Sequence, residues 1–443
     1  MIKVRRFAIL IGVPIFIFCS VTMAFGISSE IEISNQIANN KYSNVVGIDM
    51  ISSTENWGQV VKLSALNGME NDFFGTSVSI SGNTLAVGGT NSLGFQGGVF
   101  IFEQDAGGPL QWGQVVTLTN ASPGTAYGVA VDLDGDTLAV GAHSAFGNGA
   151  VYIYERNQNG PNNWGVVKTI TSPNPGTGDL LGFALSLEGD RLLVGASEAT
   201  INTNIAQGAA YIFERNEGGS NNWGLIKELL ATDGEEFDTF GQTVSLSGER
   251  AAIGASVDIG TNDNQGAIYI FERNTGGPAN WGQVISVTNA SGVSSYYPSS
   301  ISLNGDTLAA RTDADELIFF EKDRGGVNNW GLVPTSIVPG SSLYGFDLDG
   351  DRVAISLTAP DNRGKVNIYG RNEGGQDNWG LVAEMTTVDI PDGASFNLSQ
   401  SGNNIAIASP YMTINGNANQ GGCYIFGEQG FMIYLPSILK NSE

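Results

Sequence analysis

Short apolar runs, broken by Gly, Asn and Asp, alternate along most of this chain. From Phe74 the sequence reads FGTSVSISGNTLAVGG, and from Tyr127 it reads YGVAVDLDGDTLAVGA. LGFALSLEGDRLLVGA begins at Leu181 and FGQTVSLSGERAAIGA at Phe240. In each, residues alternate with a period of two, a Gly-containing turn follows, and a second apolar run returns. That pattern predicts a strand, a tight turn and an antiparallel strand.

The third copy shows the whole unit. Phe183–Leu187 is the first predicted strand, Glu188-Gly189 the turn and Arg191–Val194 the return. Ala209–Glu214 (AAYIFE) is a third strand. RNEGGSNN from Arg215 leads to Trp223, and Leu225–Leu229 forms a fourth. The dipeptides Asp134-Gly135, Asn304-Gly305 and Asp349-Gly350 predict two-residue hairpin turns. No run has the length and period of a substantial helix.

The seven tryptophans mark the repeat: Trp57, Trp112, Trp164, Trp223, Trp281, Trp330 and Trp379, spaced 49 to 59 residues apart. Each is followed by Gly; Asn precedes six of them and Gln111 the other. A fixed motif at that period indicates a propeller or solenoid. The ends of the array predict closure. A lone fourth strand, Trp57–Leu63, precedes the first complete unit. Only three strands, Ser395–Gln400, Asn404–Ala408 and Cys423–Phe426, follow the sixth. The expected fold is therefore all-β: a seven-bladed β-propeller of four-stranded antiparallel blades, with the N-terminal strand completing the last blade and leaving no open strand edge. Gly75, Gly128, Gly182 and Gly241 on first strands, and Gly88, Gly141, Gly195 and Gly254 on second strands, are expected at the narrow channel side. Third-strand pairs such as Tyr211 and Phe213 are expected between blades. The tryptophans are expected to cover the seams, each burial worth roughly 2–3 kcal/mol.

The chain has 443 residues, 61 of them Gly, and only 14% are charged, which suits many short strands and tight turns. The net charge of −24 repels phosphate backbones and disfavours nucleic acid as a partner. Lys3, Arg5 and Arg6 precede an apolar run from Phe7 to Cys19, with Ala24 and Gly26 after it. Residues 1–26 thus have the layout of a secretory signal, cleaved after Ala24 or Gly26; an uncleaved anchor is the alternative. Residues 27–55 read as a linker, 56–427 as the propeller and 428–443 as a short tail containing FMIYLPSILK. No second segment is long enough to cross a membrane. Removal of the signal would leave Cys423 as the only cysteine, without an intrachain disulfide. The expected location is secreted or at the cell surface, as a monomer.

The phrases quoted above resemble the FG-GAP repeat family, named for elements of the integrin α-chain propeller, and most closely its bacterial exported type. Phe74-Gly75, Tyr127-Gly128, Leu181-Gly182 and Phe240-Gly241 stand for the first element. Gly88-Gly89, Gly141-Ala142, Gly195-Ala196 and Gly254-Ala255 stand for the second. The resemblance runs from Asn56 to Phe426 and implies a seven-bladed propeller, extracellular placement and a binding or adhesive role. Units five to seven depart from it. Tyr297-Pro298 and Arg311-Thr312 stand in unit five, and Ala394-Ser395 and Ala408-Ser409 in unit seven. The Asp-rich calcium loops of the family are also missing. The tight Leu133-Asp134-Gly135-Asp136 connection is too short to wrap six or more oxygens around calcium, so the family's calcium sites are not carried over; no cofactor is expected, with calcium as the alternative.

Candidate chemistry is sparse. His143 is the only histidine, and no P-loop, zinc spacing or HExxH is present, so an enzyme is not expected. Cys423 falls at the apolar position of Val99, Val151 and Ile268. Asp132 and Asp347 replace the serines Ser79, Ser186, Ser245 and Ser302 and face the channel in this reading. They serve as structural hydrogen-bonding groups or, in a carbohydrate-active enzyme, as a carboxylate pair. The longest loops share one face. Asp233, Glu235, Glu236 and Asp238, with Asp258 and Asp263, form either solvated loop charge or a cation site. Arg311, standing where four units have Gly, pairs with nearby Asp313, Asp315 or Glu316, or captures a ligand carboxylate or sulfate. The expectation is a binding module for an extracellular protein or glycan, with a structural envelope component as a further alternative.

Overall fold

Every unit places branched and aromatic residues on strands too short to stand alone, so each sheet must bury both faces against neighbouring sheets. A computed structural model describes residues 57–428, except 93–95, 109–110, 120–123, 159, 174–177, 257–265, 288–299, 313, 328, 362 and 388–395. The chain divides into two units, 1–56 and 57–443. The predicted signal, linker and tail fall outside the described residues, apart from Glu428.

The described strands form seven four-stranded antiparallel sheets. Blade 2 is representative: Val131–Asp134, Thr137–Ala142, Ala150–Glu155 and Gly165–Thr171, paired in sequence order. Blade 7 is completed across the chain ends. Asn397–Ser401, Asn404–Ser409 and Gly422–Glu428 are joined by Trp57–Leu63, which pairs with the last of them from Trp57↔Glu428 to Leu63↔Cys423. A three-residue 3-10 turn, Ala145–Gly147, links the second and third strands of blade 2.

The strand limits shift slightly from expectation. The first strand of blade 3 is Leu185–Glu188 rather than Phe183–Leu187. The hairpin turns also lie one residue later than the Asp-Gly reading. Asp134 pairs with Thr137, so Gly135 and Asp136 make the turn, with Gly135 at φ +56°. A left-handed φ costs glycine no Cβ clash, which explains why glycine holds this place in all seven blades.

Seven apolar clusters hold the molecule together, and each straddles a seam between blades. Val151 and Ile153 of blade 2 pack with Leu192, Tyr211, Phe213 and Trp223 of blade 3. The tryptophans cover the seams as expected, each facing the preceding blade. Guanidinium groups lie over two of them, Arg156 on Trp164 and Arg215 on Trp223.

The signature glycines let neighbouring blades touch. A Cβ on Gly195 would lie 1.9 Å from the carbonyl oxygen of Gly241 in the next blade. Gly141 stands in the same relation to Gly182, and Gly88 to Gly128, at 2.0 and 2.1 Å. Within a blade, the N–H of Gly182 donates to the carbonyl of Gly195 (3.1 Å), so both elements join one backbone contact.

Polar seams reinforce the apolar ones. Arg156 pairs with Glu103 (2.6 Å), Lys322 with Glu272 (2.7 Å) and Arg273 with Glu214 (3.6 Å). Arg215 with Glu155 and Arg371 with Glu321 complete a set at five successive seams. Gly370 and Gly427 replace the acid in blades 6 and 7, and the following blades carry Glu428 and Gln104 in place of the cation.

Candidate binding face

The first strands of all seven blades surround the central channel, whose mouth holds a cavity of about 350 Å³. Thr76, Val129, Ala184, Gln242, Ser300, Tyr344 and Asn397 each represent one blade in its wall. No lining side chain is charged, despite the net charge of −24. The connections from second to third strands and from fourth strands to the next blade emerge at one end of the sheets. They carry exposed Leu66, Met69, Phe146, Ile205, Phe237 and Tyr411. The opposite end carries the tight turns, whose exposed Asp136, Asp190 and Asp306 pair with Arg156, Arg215 and Arg250.

A second cavity of about 340 Å³ opens at the seam between blades 7 and 1. Phe73, Thr76, Thr90, Asn91, Asn397, Pro410 and Tyr411 line it, and Thr76 and Asn397 also line the channel mouth.

Asp132 and Asp347 lie deeper and line neither cavity. The Asp132 carboxylate accepts from Leu187 N–H (2.7 Å), Leu133 N–H (2.9 Å) and the Ser79 hydroxyl (3.0 Å). Asp347 accepts from Gln400 N–H (3.0 Å) and the Ser302 hydroxyl (3.1 Å). Burial pushes Asp132 up to about 6, against the opposing pull of these donors. Burial, with the charges of Asp132 and Asp349, pushes Asp347 up to about 7.

These two residues belong to a ring. At every seam one first-strand side chain accepts the backbone N–H of the next blade. Ser79 takes Leu133, Asp132 takes Leu187, Ser186 takes Leu246 and Ser245 takes Leu303. Ser302 takes Leu348, Asp347 takes Gln400 and Ser399 closes the circle on Ile80, all at 2.7–3.1 Å. The structural role expected of the two aspartates is the one they fill. A second tier runs two residues on, for example Asp134 to Gly189 (2.6 Å) and Ser81 to Gly135 (3.0 Å). Sequence reasoning aligned six of the seven ring positions but missed Ser399, the partners across each seam and the whole second tier. Their signal is a polar residue recurring at blade period on an otherwise apolar strand.

The acidic loop before blade 4 is only partly free. Asp238 is buried, and its carboxylate accepts the N–H of Glu235 (2.6 Å) while its carbonyl accepts that of Ser256 (2.7 Å). Asp233, Glu235 and Glu236 are exposed; burial and the Asp233 carboxylate together push the Tyr269 hydroxyl up. Asp258 and Asp263 lie outside the described residues. Arg311 pairs with Asp315 at 2.6 Å, the local ion pair rather than an open guanidinium; Asp313 lies outside the described residues. His143 packs against Phe183 (5.6 Å), and burial lowers its pKa. Cys423 is buried, and burial pushes its thiol up. Among the described residues, no group of three or more His, Cys, Asp or Glu could hold a metal ion.

The FG-GAP repeat profile matches residues 57–102, 112–154, 164–213 and 223–271. These are FG-GAP repeats. Each FG-GAP match starts at a seam tryptophan and ends in the third strand of the following blade, so the repeat is offset by one strand from the sheet. Blades 5 and 6, and all of blade 7 but its closing strand Trp57–Leu63, lie beyond the matches yet keep the same strand order. Among solved structures, a chain of a mitotic checkpoint complex is 15% identical, with a TM-score of 0.49; the alignment covers 88% of this chain and 99% of that one. The Cps50 (Swd1) β-propeller domain of Myceliophteria thermophila is 11% identical with a TM-score of 0.50, covering 84% and 99%. At 11% identity the likeness to the Swd1 domain is one of fold. No curated protein matches the chain. An FG-GAP propeller is a general scaffold for binding proteins. No helix among the described residues is long and apolar enough to cross a membrane.

Proposed function

We propose that the protein is an exported, non-catalytic binding module, secreted or held at the cell surface, which engages an extracellular protein or glycan through the loop-bearing face. One observation carries this reading. The repeated polar residues are consumed by seams and turns, whereas the two uncharged cavities open where the variable loops emerge, beside exposed Leu66, Met69, Phe146, Ile205, Phe237 and Tyr411. Function on such a scaffold resides in its loops. The layout of residues 1–26 supports export and the net charge of −24 argues against nucleic acid. The module acts as a monomer without a cofactor. Asp132 and Asp347 support the non-catalytic reading, because their oxygens already hold backbone donors.

The test is binding of the mature chain to an array of matrix proteins and glycans, in calcium and in EDTA, with surface labelling of intact producing cells. A selective hit from surface-accessible protein is expected. An empty array in both buffers, or a protein confined to the cytoplasm, overturns the proposal. Loss of the hit in EDTA would overturn the cofactor-free reading; loss in Arg311→Ala would place that arginine in the ligand face.

A further inference from the structure

The cleft at the closure seam is built from residues that depart from the repeat. Phe73 occupies a left-handed position (φ +53°) whose counterparts are Ala126, Leu180 and Thr239. Its ring meets that of Tyr411 edge to face at 5.9 Å, and Tyr411 remains 48% exposed. Neither aromatic is required by the blades, since the seam is already sealed by Phe74, Leu63 and Ile425 beneath.

The rest of the lining is neutral and polar. Asn397 donates its side-chain amide to the carbonyls of Gly75 (3.1 Å) and Thr76 (2.7 Å), which fixes the group and leaves its oxygen as the atom to offer. Thr76 and Thr90 hydroxyls approach to 3.5 Å, and the Thr76 hydroxyl donates to the Phe73 carbonyl (2.7 Å). Asn91 adds a second amide. Through Thr76 and Asn397 the cleft continues into the channel mouth, where Gln242, Ser300 and Tyr344 extend the same chemistry. Each cavity falls at the lower end of the ~300–1,000 Å³ common for small-ligand pockets.

We propose that this cleft binds a neutral saccharide. A sugar ring offers C–H faces that pack on an aromatic ring and hydroxyls that both donate and accept, which matches Tyr411 and Phe73 flanked by amides and hydroxyls. The absence of lining charge in so acidic a chain disfavours cations and sulfated or carboxylated glycans. A proline-rich peptide also packs on aromatics, but the two amides and the row of hydroxyls favour the saccharide. This inference rests on the binding-module reading and names the ligand class for its loop face.

The test presents the mature chain, in EDTA, to neutral gluco-, galacto-, manno- and N-acetylglucosamine-based oligosaccharides, to acidic glycosaminoglycans and to a proline-rich peptide. Calorimetry follows on the strongest neutral oligosaccharide. That oligosaccharide is expected to bind, Tyr411→Ala to weaken it at least about tenfold, and Tyr411→Phe to retain most of the affinity. Leu381→Ala, at an exposed position on the outer strand of blade 6, is expected to change nothing. Denaturation midpoints of both Tyr411 variants should match the parent. Silence of all neutral oligosaccharides, binding of the acidic glycans or the peptide alone, or a full-affinity Tyr411→Ala variant overturns the inference. A matrix-protein hit with no neutral saccharide would overturn it while leaving the binding-module reading standing.

Discussion

The carboxylate of Asp132 in blade 2 accepts the backbone N–H of Leu187 in blade 3 at 2.7 Å, the bond that Ser79 makes to Leu133 at 3.0 Å one seam earlier. Serine makes it without charge; aspartate makes it with a carboxylate that burial pushes up to about 6. A raised folded-state value means that the folded form holds the proton more tightly than the unfolded chain. Its stabilisation is complete below about pH 4 and is lost as pH rises through about 6 for Asp132 and about 7 for Asp347. Asp132→Ser and Asp347→Ser should therefore stabilise the propeller at pH 8, by about 1–2 kcal/mol each, with little gain at pH 4. Urea midpoints measured across that range check the sign. A gain independent of pH would contradict it.

The glycine contacts predict unequal costs for one kind of substitution. Gly195→Ala drives a methyl group into the Gly241 carbonyl across a seam and should cost at least about 2 kcal/mol. Gly135 has no neighbour within 4 Å of its would-be Cβ and sits at φ +56°. Gly135→Ala should cost only about 1 kcal/mol, for the left-handed backbone. Chemical denaturation of the two variants side by side gives the comparison.

Arg215 joins Glu155, Asp190 and the Thr137 hydroxyl, and covers Trp223. Arg215→Ala should destabilise by about 2–3 kcal/mol, since it strips a partly buried acid of its partner and uncovers an indole. A double-mutant cycle with Glu155→Ala should show coupling above about 1 kcal/mol. The exposed Asp361–Arg363 pair (2.7 Å) is the control, and Asp361→Asn should leave stability unchanged within error.

Closure by Trp57–Leu63 makes a topological prediction. A chain starting at residue 64 leaves the edge of Gly422–Glu428 unpaired and removes Leu63 from its cluster. Such a chain should self-associate or aggregate on size-exclusion chromatography, as exposed strand edges do. A monomer with the parent's denaturation midpoint would show that the latch is dispensable.

Cys423 should resist alkylation in the native protein and react after unfolding, because its buried thiol has neither access nor thiolate character. Mass spectrometry after iodoacetamide treatment, with and without denaturant, reads this directly.

Blade number, strand order and the latch were legible because they are local. A period-two run, a Gly turn and a Trp at fixed spacing encode a blade, and repetition makes the signal strong even where Arg311 and Ala408 replace the signature. The roles of Gly195, Ser79 and Glu155 were not legible, because each acts on a residue some 45 to 60 positions away in the next blade. Their partners are set by how one sheet is rotated against another, which strand periodicity does not contain. The same holds for the candidate cleft. Phe73 and Tyr411 are more than three hundred residues apart in the chain and meet only because the circle closes. The chain by itself determined what each blade is made of. Only the tertiary structure decided what lies between blades, since seam contacts depend on the mutual placement of sheets that no local pattern specifies.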